Sequence, residues 1–178
     1  NINNNHLYNS NKKKELLKFL KVNSIKIPSV TCDFFMENPF FKNKKFKNTI
    51  TDLKKVVRLS KKVGVNFIIL PLVDNSTVEN KIQEQKLISE MKKCSKILNK
   101  NQKILFETDY PPDKIILFLK KLNTKFGINY DTGNSASLGY NFDEEKKYFK
   151  HVYNIHLKDR LFRGHSVRLG KGDYNFRK

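Results

Sequence analysis

Two hydrophobic rhythms, one of period two and one of period 3.6, trade places along the whole chain. Lys12 to Lys21 sets Leu16, Leu17 and Leu20 on one helical face. Residues 25–33 read as a strand, followed by a Phe-rich loop containing Pro39. From Thr49 to Val63, Ile50, Leu53 and Val57 keep helical spacing, and Thr49 with Asp52 forms a capping pair. Residues 65–73 are almost wholly apolar, the signature of a strand covered on both faces. Ser76 and Glu79 then carry the spacing of a capping box before a helix whose core face is Leu87, Ile88, Met91, Cys94 and Leu98. A strand at 103–107, a helix at 112–122, a strand at 125–131, a short helix near 143–149 and a strand at 152–157 complete the series. Strands separated by helices pair in parallel, which leaves an open doubly wound sheet or a (β/α) barrel.

At 178 residues the chain holds one core, and no linker divides 1–178 into smaller domains. Its longest apolar run, Phe67 to Val73, is far shorter than the roughly 20 residues of a membrane-spanning helix. Residues 1–11 are Asn-rich and lack the apolar centre of a signal peptide. Cys32 and Cys94 have no close partner of the zinc-knuckle or Cys-x-x-Cys kind. A cytoplasmic protein with no membrane partner is expected. The formal charge of +19 suggests nucleic acid, yet only five of 36 basic residues are Arg (58, 160, 163, 168 and 177). Phosphate-reading surfaces draw on the bidentate Arg fork, so the Lys excess reads as solvated helix faces and a nucleic-acid partner is not expected.

Alternation along three consecutive strands brings chemistry to one end. Leu105 and Glu107 share a face, as do Gly127, Asn129 and Asp131, and as do Asn154, His156 and Lys158. Ile104 and Phe106, then Phe126, Ile128 and Tyr130, then Tyr153, Ile155 and Leu157 form the opposite, greasy faces. Glu107, Asp131 and His156 are one strand–helix unit apart and end their strands. A strand-end carboxylate alone is often a loop cap, and a lone His is often a hydrogen-bonded core residue. Three strands in a row repeating the arrangement favour a divalent-metal site, with Mn²⁺, Mg²⁺, Co²⁺ and Zn²⁺ all compatible with two carboxylates and an imidazole. Glu79, Glu84 and Glu90 follow helical spacing and read as solvated surface.

The words around these residues are familiar together. Phe106-Glu107-Thr108-Asp109, Asn129 to Asn134 with Ser137-Leu138-Gly139-Tyr140, and Ile155-His156-Leu157-Lys158-Asp159 followed by Leu169-Gly170-Lys171-Gly172 resemble the sugar phosphate isomerase/epimerase family of the xylose-isomerase-like TIM-barrel superfamily, the barrel of AP endonuclease family 2. Thr31-Cys32-Asp33-Phe34-Phe35-Met36 and Leu70-Pro71-Leu72-Val73-Asp74 resemble its third and fourth strand ends. The resemblance implies an incomplete (β/α)8 TIM barrel holding strands three to seven, with two strands before and one after the span 1–178. It implies a divalent metal held by Glu107, Asp131 and His156, with a fourth ligand, a Glu, beyond Lys178. Glu107 would be the base that removes a proton next to a carbonyl, giving an enediolate, in the metabolism of a keto sugar or its phosphate. Asn134 would bind substrate. The span alone would lack the second proton-transfer group and would not catalyse epimerisation. A homo-oligomer stays open.

Lys158, Arg160, Arg163, Arg168 and Lys171 cluster with Gly164, Gly170 and Gly172 in one loop. Lys158, Arg160 and Arg163 are therefore candidate substrate-binding residues for a sugar phosphate, a solvated basic loop being the other reading. Two rival functions remain: a zinc phosphodiesterase cutting DNA at abasic sites, and a non-catalytic truncated barrel. The nuclease form of the motif carries His where Asn134 stands, and the chain has only four His (6, 151, 156 and 165), so isomerase chemistry is preferred.

Overall fold

In the computed structural model, which describes residues 9–177, five parallel strands lie side by side in the order in which the chain makes them. They are β1 (Ser29–Thr31), β2 (Phe67–Leu72), β3 (Lys103–Thr108), β4 (Phe126–Asp131) and β5 (Val152–His156). Between them run α1 (Ser10–Val22), α2 (Phe34–Glu37), α3 (Thr49–Lys62), α4 (Lys81–Ser95), α5 (Pro112–Leu119), α6 (Thr132–Leu138) and α7 (Phe142–Glu145), with α1 before the first strand. A two-stranded hairpin, β6 (Asp159–Arg160) and β7 (Ser166–Val167), follows β5. Sequential parallel order is the wall of a barrel, and these five strands form an incomplete TIM barrel. No helix among the described residues is long and apolar enough to cross a membrane. The Asn-rich stretch 1–8, His6 and Lys178 lie outside the described residues.

The two faces of this wall follow from strand alternation. Outward, Ile68, Leu70, Leu72, Ile104, Phe106, Phe126, Ile128 and Tyr130 pack against Leu53 and Val57 of α3, Leu87 and Met91 of α4, and Ile115 and Phe118 of α5. Phe106 lies at the centre of this layer, edge-to-face with Phe118 at 5.1 Å and stacked on Phe126 at 5.8 Å. Inward, Ile69 pairs with Leu105, and Pro71 with Glu107, so the polar groups begin where the strands end.

At β5 the pattern breaks. Ile128 pairs with Val152 but Asn129 pairs with Asn154, leaving Tyr153 as an extra residue in a bulge. Tyr153 therefore turns inward beside Asn154, against the expected alternation, and its ring meets Phe67 and the Lys103 ammonium. Room for it comes from Gly127, where a Cβ would sit 2.5 Å from the Tyr153 ring. Ile155 and Leu157, expected on a covered face, are 55% and 66% exposed, because no helix among the described residues packs outside β5.

Two expected capping side chains are used elsewhere. Thr49 does not cap α3; its hydroxyl donates to the carbonyls of Asn38 and Phe46 and ties the helix to the preceding loop. Ser76 is spent in the same way on the carbonyls of Pro71 and Val73, closing a 3-10 turn. Helix α4 starts at Lys81 instead, capped by Asn80, whose side chain accepts from the Gln83 N–H. The Phe-rich loop contains α2 and plugs the layer with Phe35, Phe40 and Phe41. The helix expected near 143–149 is α7 followed by a 3-10 segment, Lys146–His151. Glu84 and Glu90, expected as free surface, pair with Lys121 and Tyr110 and with Lys54 and Lys93, while Glu79 pairs with Lys42.

Candidate metal centre

The parallel register carries Asp131 directly opposite His156, and Glu107 stands one residue before the end of the adjacent β3. One potential ligand atom from each of the three lies within 4.8 Å of the others. His156 Nδ1 is 3.0 Å from Glu107 Oε2 and 3.8 Å from Asp131 Oδ2. All three carry their side chains to the same strand ends, as the alternation predicts.

An inner row of amides sets their orientation. Asn154 donates through Nδ2 to Asn129 Oδ1, which fixes which way the Asn129 amide faces. Asn129 Nδ2 in turn donates to Glu107 Oε2 and sits 3.0 Å from His156 Nδ1. On the other side, Asn134 donates through Nδ2 to Glu107 Oε1 at 3.2 Å. Asn134 is held there because Asp131 caps α6, its Oδ1 accepting the Asn134 N–H. The left-handed Gly139, φ 67°, then ends this short helix. Sequence reading missed α6, Asn129 and Asn154, although alternation had already put both Asn residues on the inward face.

Electrostatics follows from this geometry. Burial works to raise the Glu107 carboxyl, but the His156 hydrogen bond, the Lys158 and His156 charges and the Asn134 amide outweigh it and hold it below its ordinary value. The hydrogen bond to Glu107 raises His156, against the opposing effect of burial, with the charges of Glu107 and Asp131 adding to it. Asp131 is buried, and its Oδ2 has the half-exposed Lys158 ammonium at 2.9 Å and His156 Nδ1 at 3.8 Å. A buried carboxylate oxygen gathered with a second carboxylate and an imidazole is a donor set that a divalent cation completes. The residues fit such an ion.

The remaining candidates are placed differently. Arg160 Nε and Nη2 both donate to the Gly164 carbonyl, and Nη1 donates to Asn134 Oδ1. Its guanidinium braces the loop and Asn134. Arg163 stands at φ 51° with its guanidinium over the Phe162 ring, and no described hydrogen bond or ion pair joins it to the triad. The loop itself hangs on Asp159, which is buried and accepts the N–H groups of Gly170, Gly172 and Tyr174. A Cβ at Gly172 would collide with that carboxylate. Behind the triad, the buried Glu145 accepts hydroxyls from Tyr130, Ser135 and Tyr148. Between them lies a cavity of about 20 Å³ bordered by Glu107, Asp131, Asn134 and Glu145. It has room for a single water.

A parallel barrel wall ending in two carboxylates and an imidazole places the molecule among α/β-barrel proteins with a metal-competent mouth. Its sequence agrees: the family model described as xylose isomerase-like TIM barrel matches residues 3–178, and the chain belongs to that family. No curated protein matches it. Among solved structures it resembles a xylose isomerase domain protein from Planctomyces limnophilus, with TM-score 0.77 and 17% identity over 97% of this chain and 70% of that one. A xylose isomerase-like TIM barrel protein from Mycobacterium smegmatis, in complex with magnesium, gives 0.74 and 14% over 95% and 66%. A D-tagatose 3-epimerase-like protein gives 0.75 and 15% over 95% and 70%. At these identities the likeness is one of fold.

Proposed function

We propose that this chain belongs to a metal-dependent isomerase or epimerase of a keto sugar or sugar phosphate. The observation that carries the reading is the gathering of Glu107, Asp131 and His156 at the strand ends, with one potential ligand atom of each within 4.8 Å of the others. Glu107 Oε2, Asp131 Oδ2 and His156 Nδ1 would hold a divalent ion. Bound there, the ion supplies Lewis acidity to a substrate carbonyl and acidifies the neighbouring C–H.

The chain's own groups do the rest. Glu107 Oε1 takes the proton from that carbon, leaving an enediolate, and the Asn134 amide keeps this oxygen aimed into the mouth. Asn129 Nδ2 lies within hydrogen-bond distance of both Oε2 and the imidazole, so the two Glu107 oxygens have separate tasks. Arg160 keeps Asn134 in place. Lys158, half exposed at the mouth, meets the substrate's oxygens.

The test is hydrogen exchange. The full-length protein with Mn²⁺ or Mg²⁺ should release the carbon-bound hydrogen of a keto sugar or its phosphate into solvent. Glu107→Gln should bind the ion and lose the exchange by a factor of at least about 10². His156→Ala, which removes a direct ligand, should weaken ion binding by at least the roughly 10- to 100-fold that loss of an outer partner costs. Undiminished exchange in Glu107→Gln removes that residue from the chemistry, and metal-dependent cleavage at abasic DNA would replace the reading altogether.

A further inference from the structure

Lys158 is anchored more firmly than a solvated lysine requires. Its N–H donates to Thr132 Oγ1 at 2.8 Å, and the same hydroxyl donates back to its carbonyl at 2.5 Å. Its stem crosses α6 at Gly133, where a Cβ would come 2.8 Å from the Lys158 Cβ, so only glycine leaves the passage open. Clamp and passage together direct the ammonium onto Asp131 Oδ2, at 2.9 Å, while half of the side chain remains exposed toward the mouth.

We infer that Lys158 competes with the divalent ion for Asp131, restrains its binding, and couples ion loading to an anionic or oxygen-rich substrate group at the mouth. The inference rests on the metal reading above. Asp131 Oδ1 is occupied by the Asn134 N–H, so Oδ2 is the oxygen left for an ion. An ion bonded to Oδ2 at about 2.1 Å lies no more than about 5 Å from an ammonium that stays 2.9 Å from the same atom. Two cations so close repel strongly in a partly buried site. Lys158 has an exit, because its exposed half opens on the mouth, and there the ammonium meets the substrate. By linkage, a ligand that pairs with Lys158 tightens the ion, and the ion tightens that ligand.

The experiment is a calorimetric titration of the full-length protein with Mn²⁺ alone, comparing the wild type with Lys158→Met, Lys158→Gln and Lys158→Arg, with circular dichroism to confirm folding. The neutral variants should bind Mn²⁺ about tenfold more tightly, and Lys158→Arg, which keeps the charge, should stay near the wild type. Equal or weaker binding by folded Met and Gln variants of a wild type that does bind overturns the inference and leaves the metal reading standing. Equal tightening by Lys158→Arg also overturns it, since shape and not charge would then be responsible. Absence of Mn²⁺ uptake in every variant overturns the metal reading and this inference together.

Discussion

Strands β3 and β5 carry the same kind of pattern and the same kind of terminal ligand, yet they live in different surroundings. Phe106 of β3 is completely buried between strands and helices, whereas Ile155 of β5 is 55% exposed. Strand β3 has a neighbour on each side, while β5, among the described residues, pairs only with β4 and does so through a bulge. An apolar residue in a strand pattern acquires its energetic weight from what packs on it. The chemistry tolerates both settings: Glu107 and His156 meet at 3.0 Å although one stands on a covered strand and the other on an edge.

The largest expected effect breaks the comparison outright. Phe106→Ala should cost about 3–5 kcal/mol by removing a ring packed on Phe118 and Phe126. Ile155→Ala should stay within about 0.5 kcal/mol. Denaturant titration of both variants measures the gap, and equal losses would mean that β5 is covered after all.

The bulge is the next target. Gly127→Ala puts a methyl group against the Tyr153 ring and 2.8 Å from the His151 carbonyl, a backbone atom that cannot swing away. It should cost about 1–3 kcal/mol. Tyr153→Ala in the same chain should recover only part of the loss in thermal unfolding, because the carbonyl clash remains.

The smallest effect sharpens the picture of the helix layer beside β3. Burial works against the Glu84 carboxylate, but hydrogen bonds from Lys121 and Tyr110 and the Lys121 and Lys114 charges outweigh it, so its value is lowered. A lowered carboxyl contributes stability fully above its unfolded value near 4.5 and loses it as pH falls through the folded value. Glu84→Gln should therefore lower stability by less than about 1 kcal/mol at neutral pH, the ion pair being partly screened. The difference from wild type should shrink below about pH 4.5, and a difference that grows on acidification would contradict the assignment.

Much of the candidate site could be read from spacing alone. Strand period two and one strand–helix unit between ligands suffice to bring Glu107, Asp131 and His156 to one end of a parallel sheet, and the structure brings them there. Asn129 and Asn154 lay on the same inward face but carried no signal of their own, because an amide gains meaning only from the two groups it bridges. Arg160 and Arg163 were marked by charge, and charge says nothing of which carbonyl or ring a guanidinium will find. Helix α6 was hidden because Thr132 to Leu138 is short, small-residued and nearly all buried, with no amphipathic period to show.

Periodicity and chain connectivity, which are local, are enough for the parallel α/β wall, its order of elements and the end at which the triad gathers. Packing settles which hydroxyls cap helices and which bind backbone carbonyls, where the β5 bulge turns Tyr153 inward, and that Lys158 rests on Asp131. Each of those is a competition between partners distant in sequence for one donor, one acceptor or one space, and its winner is set when the elements pack.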